Sequence, residues 1–266
     1  GGRFHSAWLT MLYPRLTLAK ELLNDEGLIA VSIDEGEVHH MREMLDEIFG
    51  EECFVGEVVW EKIYTTKNDA AHLSNSHESI LLYFKSTRGS DLGLLPRTAE
   101  MDARYTNPDS DPRGPWKAIP YYARGERKNG RYAIISPSTG KEHWPEPDSH
   151  WRSPPEETAR LIADNRIYFG KDGNGQPNFK RFLSELSAGI KVKSLWKHSE
   201  VGSNDSANSE LKKIFDVKVN PFSFPKPTSL MNRLLQISTN SESIVLDFFA
   251  GSGSLGHACM AKNAED

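Results

Sequence analysis

Cysteine is scarce in this sequence. The 266 residues include only Cys53 and Cys259, with no Cys-x-x-Cys pair and no regular spacing. A disulfide framework needs several cysteines, and a structural zinc site needs closely spaced cysteine or histidine ligands. Both are therefore disfavoured, and two unpaired cysteines fit the reducing environment of the cytoplasm.

Long apolar runs and ligand-like histidine patterns are also missing. No stretch approaches the roughly 20 apolar residues that a membrane-spanning helix needs. The spacings of a metal site do not occur among His39, His40, His72, His77 and His257. We therefore expect a soluble intracellular protein with no membrane partner and no metal site.

The composition is that of an ordinary globular protein. Hydrophobic residues make up 38% of the sequence and charged residues 26%. A chain of 266 residues is long enough for one large domain or two modest domains with cores of their own.

Charge is distributed unevenly, although the net charge is −5. Residues 1–62 carry 13 acidic residues against 5 Lys and Arg, whereas residues 110–145 carry 7 Lys and Arg against 3 acidic residues. A second basic stretch, 171–198, carries 6 against 2. Such a basic middle is typical of a surface that neutralises nucleic-acid phosphates, and a solvated charged loop is the alternative.

Periodicity predicts alternating helices and strands before residue 86. Apolar residues recur at helical spacing in two segments, each followed by a glycine, and three short apolar runs predict strands. The predicted elements cover residues 8–23, 28–33, 35–49, 54–62 and 79–85. The run at 28–33 is apolar except at Ser32, as is typical of buried parallel strands, and the last two strands are expected to be antiparallel.

Residues 86–198 differ in texture, with frequent proline, glycine and aromatic residues. We interpret this region as a small α+β domain inserted into the chain. It is predicted to contain a helix over 156–164, with Ser153 as its N-cap, and a strand over 166–170.

A glycine-rich turn near the end of the sequence predicts a cofactor site. Ile244-Val245-Leu246 is predicted to be a buried strand that ends at Asp247, and the turn that follows leads into a helix near Leu255. Glycines let backbone N–H groups approach a ligand closely, and open α/β sheets bind ligands at the carboxyl ends of their strands.

Two cofactors are compatible with this turn. Gly251, Gly253 and Gly256 satisfy the Gly-x-Gly-x-x-Gly pattern of dinucleotide binding, which is weak evidence without an acidic residue about 20 positions further on. The alternative is Asp-x-Phe-x-Gly-x-Gly, the form that lines a pocket for S-adenosylmethionine. A second element, Phe224-Pro-Lys-Pro227 followed by a predicted amphipathic helix, favours this alternative.

These two elements resemble motif X and motif I of the permuted, β-class DNA amino-methyltransferases. Within that class the sequence is similar to the modification (Mod) subunits of type III restriction–modification systems, which methylate adenine N6. The similarity extends to other motifs, at residues 8–23, 27–35, 75–85 and 105–116.

The resemblance implies an α/β fold. It consists of a partial Rossmann-like sheet of an S-adenosylmethionine-dependent methyltransferase with an inserted α+β target-recognition domain. Residues 1–85 would form part of the methyltransferase core (motifs V to VIII) and 86–198 the recognition domain. Residues 199–266 would supply a linker, motif X and motif I.

The resemblance also implies roles for individual residues. The cofactor S-adenosylmethionine would contact Phe224, Lys226, Pro227, Asp247, Phe249, Ala250, Gly251, Ser252 and Gly253. Simpler alternatives are a surface lysine at 226 and a helix-capping role for Asp247. Duplex DNA would contact Arg113, Lys117, Arg124, Arg127, Lys128 and Arg131. A restriction subunit and a second copy of the chain are further expected partners.

The catalytic tetrapeptide of this family, Asp/Asn-Pro-Pro-Tyr/Phe, does not occur in the sequence. Ser153-Pro-Pro-Glu156 lacks the aromatic residue that stacks on the target base. We therefore assign no catalytic residue, expect the chain to be a fragment of the methyltransferase, and expect it to be inactive by itself. The alternatives are a cytosine-N4 methyltransferase, a non-catalytic DNA-binding module and, less favoured, a dinucleotide-binding oxidoreductase.

Overall fold

The computed structural model describes residues 3–66, 72–89 and 91–264, with side chains from His5 onward. Within these residues no helix is both long enough and apolar enough to cross a membrane.

The chain divides into two compact units. Unit 1 comprises residues 1–95 and 191–266, and unit 2 comprises residues 96–190. The predicted middle domain, 86–198, is wider than unit 2 at both ends.

Unit 1 begins with alternating helices and strands. They are α1 (Arg3–Leu22), β1 (Leu28–Ile33), α2 (Val38–Phe49), β2 (Phe54–Glu61) and β3 (His77–Phe84). Helix α1 continues through Pro14, and Gly50, with a φ of 99°, ends α2. The two helices and three strands predicted here are confirmed, although their ends differ by a few residues.

The middle of the chain contains short elements. They are β4 (Leu95–Pro96), α3 (Ala99–Asp102), β5 (Trp116–Pro120), β6 (Tyr122–Arg124), β7 (Ile134–Ile135), β8 (Glu142–His143), β9 (Ser149–Trp151), α4 (Pro155–Ala163), β10 (Ile167–Tyr168), β11 (Asn178–Phe182) and β12 (Gly189–Ile190). Strands β10, β11 and β5 form a three-stranded antiparallel sheet, and β6 pairs with β9 and β7 with β8. Tyr121, Trp151 and Phe169 are buried in the apolar core of unit 2.

The predicted N-cap of α4 is wrong. The residue that precedes the helix is Pro154, and no side chain caps it. Pro155 occupies the first helical position, where a missing N–H costs no hydrogen bond. The carbonyl of Ser153 instead accepts a hydrogen bond from the Tyr132 hydroxyl at 2.7 Å.

The remainder of unit 1 is mainly helical. Its elements are β13 (Leu195–Trp196), α5 (His198–Val201), α6 (Asn204–Phe215), α7 (Thr228–Ser238) and α8 (Ser254–Asn263). Helices α7 and α8 confirm the predicted helices after the Pro-Lys-Pro element and after the glycine turn.

The sheet of unit 1 has the strand order β1-β3-β2-β13. Strands β2 and β3 are antiparallel, as predicted, and β13 pairs with β2 in parallel. Strand β1 pairs antiparallel with β3. The prediction that β1 is a parallel strand is therefore wrong for this pair. An apolar run gives no strand direction. Here β3 supplies the partner, because its residues from Ser79 to Tyr83 are all buried.

Helices α1 and α2 pack together with the sheet around one core. Leu16, Leu45 and Tyr83 are almost completely buried in it. Trp60 on β2 and Trp196 on β13 are also fully buried. Lys226 lies over the Trp60 ring at 5.0 Å, which places the Pro-Lys-Pro element against the sheet.

The strand predicted at residues 244–246 is wrong. Ile244, Val245 and Leu246 are 98%, 39% and 58% exposed and have no regular secondary structure. A strand exists only through hydrogen bonds to a neighbouring strand. None of the strands in the described part of the chain pairs with this segment.

Candidate cofactor-binding site

The Pro-Lys-Pro element leads directly into α7. Pro225 and Pro227 are buried, and Pro227 is the extended residue before the helix, with φ −69° and ψ 141°. Proline cannot cap the helix with its side chain, so the first helical N–H, from Thr228, donates to Oε2 of Glu210 at 3.1 Å. The carboxylate of Glu210 therefore fixes the start of α7 from helix α6.

Lys226 is held by two groups of the sheet. Its Nζ donates to Oε1 of Glu78 on β3 and lies 5.0 Å from the ring centroid of Trp60 on β2. The other carboxylate oxygen of Glu78 lies 3.7 Å from Nζ of Lys62. Lys226 is thus not the free surface lysine of the simpler alternative.

The glycine turn has the backbone shape that only glycine adopts without strain. Gly251 has a φ of 55° and Gly253 a φ of 77°, and the N–H of Gly253 donates to the carbonyl of Ala250 at 2.7 Å. Asp247 accepts a hydrogen bond from the N–H of Phe249 at 3.2 Å. Its carboxylate therefore stabilises the turn itself and does not cap a helix. Gly253 is the N-cap residue of α8.

The two predicted halves of the pocket lie in contact. The hydroxyl of Ser254, the first residue of α8, donates to the carbonyl oxygen of Lys226 at 2.6 Å. A Cβ atom at Gly251 would lie 3.4 Å from the ring of Phe222. Thr228 on α7 and His257 on α8 approach to 3.5 Å. The Pro-Lys-Pro element, the glycine turn and two helix starts therefore form one corner of unit 1.

Most of the predicted cofactor residues in this corner are open to solvent. Phe224 is 82% exposed and Phe249 54% exposed, and the rings of Phe248 and Phe249 lie 4.9 Å apart. Around Gly253 nothing lies within 4 Å of an added Cβ atom. Apolar rings and free space beside a backbone turn are features of a surface that a ligand covers.

A shallow cavity of about 540 Å³, open to solvent, lies beside this corner. It is lined by Tyr64, His198, Gly202, Ser203, Asp205, Ser206 and Ser209. The carbonyl of Gly202 accepts from Nε1 of Trp60 at 2.9 Å, and the carbonyl of Val201 accepts from the hydroxyl of Ser229 on α7 at 2.7 Å. One wall of the cavity is thereby tied to the strand and helix that hold Lys226.

Tyr64 and His198 give this cavity a stacked pair of rings. Their centroids are 4.4 Å apart with an interplanar angle of 22°, and Tyr64 is 54% exposed. Glu61 fixes His198 through Nδ1 at 2.6 Å and the backbone N–H at 3.1 Å. These bonds lower the pKa of Glu61 below its ordinary value. Sequence reasoning missed this pair, because its members are 134 positions apart in the sequence.

The predicted DNA-binding residues all lie in unit 2 and are mostly exposed. Lys117 is on β5, directly opposite Arg181 of β11, and Arg124 is at the end of β6. Arg127 and Lys128 lie in the following turn, where Nη1 of Arg127 donates to the carbonyl of Arg152 at 2.9 Å.

Arg131 and Arg113 contact neighbours within unit 2. Nη1 of Arg131 donates to the carbonyl oxygens of Glu146 and Ser149 at 3.1 and 2.9 Å. Arg113 binds both carboxylate oxygens of Asp111 at 2.9 Å, contacts Asp164, and is 27% exposed. Its guanidinium is therefore occupied by carboxylates of the unit.

A DNA methylase family model matches residues 2–265 of the chain. The chain belongs to the DNA methylase family. It is 37% identical to the StyLTI Mod subunit of Salmonella typhimurium, which is part of a type III restriction–modification enzyme. The alignment of 269 residues covers 100% of this chain and 40% of that protein. The similarity to Mod subunits predicted from the sequence is confirmed.

Two further relatives are similar over almost the whole chain. The EcoP15I Mod subunit of Escherichia coli is 30% identical over 300 residues, which cover 99% of this chain and 45% of that protein. The type II methyltransferase M.KpnI of Klebsiella pneumoniae is 29% identical over 281 residues, 98% of this chain and 65% of that enzyme. The chain therefore spans less than half the length of the StyLTI and EcoP15I Mod subunits.

Proposed function

We propose that this chain carries the cofactor-binding and DNA-recognition parts of a site-specific DNA methyltransferase. The enzyme would transfer a methyl group from S-adenosylmethionine to N6 of adenine. The hydrogen bond from Ser254 to the carbonyl of Lys226 carries the proposal, because it joins the two elements that the methyltransferase resemblance assigns to one pocket. The family and the Mod subunit relatives support the reaction class.

The residues of this corner fit such a donor. S-adenosylmethionine, when bound, supplies a methyl group on a positively charged sulfur. Phe224 and Phe249 offer exposed apolar rings for its adenosine, and the N-terminal end of α8 offers N–H groups and a favourable dipole for its carboxylate. Lys226 is held in place by Glu78, so its backbone carbonyl stays against Ser254.

The cavity beside this corner has room for the substrate base. An adenine inside a duplex hides its amine, so the enzyme must rotate the base out of the stack. We propose that the cavity beside Lys226 receives the extruded base, with the exposed ring of Tyr64 as its stacking surface. Holding the amine close to the methyl carbon would supply most of the rate enhancement.

Unit 2 is proposed to be the target-recognition domain. Lys117, Arg124, Arg127 and Lys128 are exposed basic side chains on its strands and turn. Each phosphate contact makes the slope of log affinity against log salt more negative by about 0.9. Anisotropy of labelled duplex DNA with the chain should therefore show a steep salt dependence, which alanine variants of these residues make shallower. A slope near zero would exclude this role.

The proposed partners follow from the same family. Duplex DNA is the substrate, and a restriction subunit is proposed because the relatives are Mod subunits of type III restriction–modification enzymes. A homodimer remains a prediction from the sequence. A cytoplasmic location is proposed because the substrate is there. An oxidoreductase that uses Gly251-x-Gly-x-x-Gly256 is not favoured, since the whole chain matches a methylase family.

The decisive experiment uses the full-length protein that contains this chain. Tritiated S-adenosylmethionine and duplex DNA should give labelled N6-methyladenine after nucleoside digestion, and S-adenosylmethionine but not NADH should quench tryptophan fluorescence. Labelled N4-methylcytosine would change the target base, and no cofactor binding would refute the proposal. Residues 1–266 alone should transfer no methyl group, because the sequence lacks the Asp/Asn-Pro-Pro-Tyr/Phe tetrapeptide.

A further inference from the structure

Two histidines from different helices share one carboxylate in unit 1. Glu37 precedes the first turn of α2, and its Oε1 lies 2.5 Å from Nδ1 of His5 on α1. Its Oε2 lies 3.0 Å from Nδ1 of His40, within the first turn of α2. The three side chains are 24–45% exposed, so they are shielded from solvent only in part.

The donor atoms of this cluster nearly converge on one point. One ligand atom from each of the three residues lies within 4.8 Å of the others. A metal ion with bonds of about 2.0–2.2 Å to nitrogen and oxygen holds neighbouring ligand atoms about 3–3.5 Å apart. Small rotations of the imidazoles about their side-chain torsions would therefore close the cluster around an ion.

We propose that His5, Glu37 and His40 form a binding site for a transition-metal ion of the Zn²⁺ type. Imidazole nitrogen prefers zinc, copper, nickel and iron to magnesium or calcium, and two imidazoles with one carboxylate are a common ligand set for zinc. Three protein ligands leave the remaining coordination positions to water. The site is independent of the proposed methyl transfer.

The fold fixes the elements that carry these ligands. Helices α1 and α2 are in contact, and Leu12, Leu16, Met41 and Leu45 belong to one apolar core cluster, which brings the two histidines together. The His5 and His40 rings lie 4.7 Å apart. An ion at this point would link the two helices at the end where α2 begins.

Nδ1 of His5 and Nδ1 of His40 each donate a hydrogen bond to the Glu37 carboxylate. Metal binding would replace the Nδ1 protons of the two rings, so the ion and these two hydrogen bonds exclude each other.

His39 offers a matched control. It is adjacent to His40 in the sequence, its ring lies 3.9 Å from that of His40, and it is exposed, but it is not part of the convergent cluster. Nonspecific metal binding by surface histidines would involve His39 as readily as His40. The comparison between the two therefore separates a defined site from adventitious binding.

The test titrates the 266-residue chain with Zn²⁺ by calorimetry and with Co²⁺ by visible absorption. The expected result is one ion per chain, with affinity at least about tenfold lower in each of His5→Ala, Glu37→Gln and His40→Ala and unchanged in His39→Ala. Far-UV circular dichroism checks that each variant is folded. If His40→Ala is not folded, His40→Asn replaces it.

Three results would overturn the proposal. They are the absence of saturable binding, saturable binding that all three ligand variants retain, and an equal loss in His39→Ala. Methyl-transfer activity plays no part in this test, so its outcome is separate from that of the proposed function.

Discussion

The hydroxyl of Ser254 donates a hydrogen bond to the backbone carbonyl of Lys226 across 2.6 Å, although 28 residues separate them in the sequence. This bond connects the start of α8 to the residue between two buried prolines. Each side of the corner thus depends on the other for its position.

Replacing Ser254 by alanine should weaken S-adenosylmethionine binding by the full-length protein. The carbonyl of Lys226 would lose its partner, at a cost of about 1 kcal/mol, which corresponds to roughly fivefold in affinity. Calorimetric titration measures the change. Ser241→Ala, at an exposed position before residues 244–248, is the control and should bind normally. Equal affinities for both variants would show that the bond does not position the pocket.

Two glycine substitutions should have opposite effects on stability. Gly253 has a φ of 77° with open space around it, so Gly253→Ala introduces backbone strain of about 1–2 kcal/mol without a steric clash. Gly256 is inside α8 and equally open, so Gly256→Ala should stabilise the helix by up to about 1 kcal/mol. Urea unfolding of the chain measures both. Unchanged or higher stability in Gly253→Ala would contradict the turn geometry, and a loss of stability in Gly256→Ala would contradict the helical position of that residue.

Lys226 and Glu78 should show a measurable coupling energy. Their side chains are 26% and 13% exposed, so solvent screens the pair less than an ion pair on the open surface. A double-mutant cycle of Lys226→Met and Glu78→Gln should give about 1 kcal/mol in urea unfolding. The same cycle with Lys212→Met, an exposed lysine of α6, should give a coupling near zero. Equal values would mean that the contact is not formed in solution.

Arg113 should support the acid stability of unit 2. Its hydrogen bonds hold the pKa of Asp111 well below the ordinary value, against the effect of burial and with help from Lys180. A carboxyl group with a depressed pKa stabilises the fold above its unfolded pKa, about 3.9, and this contribution disappears as the pH falls towards the folded value. Stability should therefore decline below about pH 4.

Arg113→Met removes a partner of this fully buried carboxylate and should cost about 3 kcal/mol at pH 7. The free energy of unfolding should also decrease less between pH 7 and acidic pH, because the pKa of Asp111 moves towards its unfolded value. Arg124→Met, at an exposed position, should do neither. Urea midpoints as a function of pH, followed by circular dichroism, test both variants, and identical profiles would contradict the role of Arg113.

Tyr64→Ala should weaken binding of target DNA by the full-length protein by about 1–3 kcal/mol, because it removes the proposed stacking surface. Tyr64→Phe retains the ring and should bind almost normally. Fluorescence of 2-aminopurine at the target position reports extrusion of the base and should rise less with Tyr64→Ala. Unchanged binding and fluorescence in that variant would place the base elsewhere.

Local signals in the sequence were sufficient for much of unit 1. Helix α2 has a clear apolar face and a glycine at its end, and the turn at 251–253 needs backbone angles that glycine supplies. The strand at 244–246 could not be predicted correctly, because a strand depends on a neighbour that lies elsewhere in the chain. Pairing direction failed for β1 for the same reason.

The side-chain clusters were harder to predict than the helices. The Glu37 and His40 spacing of three residues is a weak signal that both lie on one face of a helix. The third member, His5, is 32 residues away from Glu37 on another helix, and only packing of α1 on α2 brings it close. Tyr64 and His198 likewise meet only after β13 pairs with β2.

The exposed apolar segment at 244–249 has a consequence for the behaviour of this chain in solution. Ile244, Val245 and Phe249 combine high β-propensity with a backbone whose hydrogen-bonding groups have no strand partner among the described residues. Unsatisfied strand-forming sequence of this kind is a template for self-association between separate molecules. Aggregation at high concentration is therefore expected to begin at these residues. A second polypeptide that covers them would keep the chain in solution.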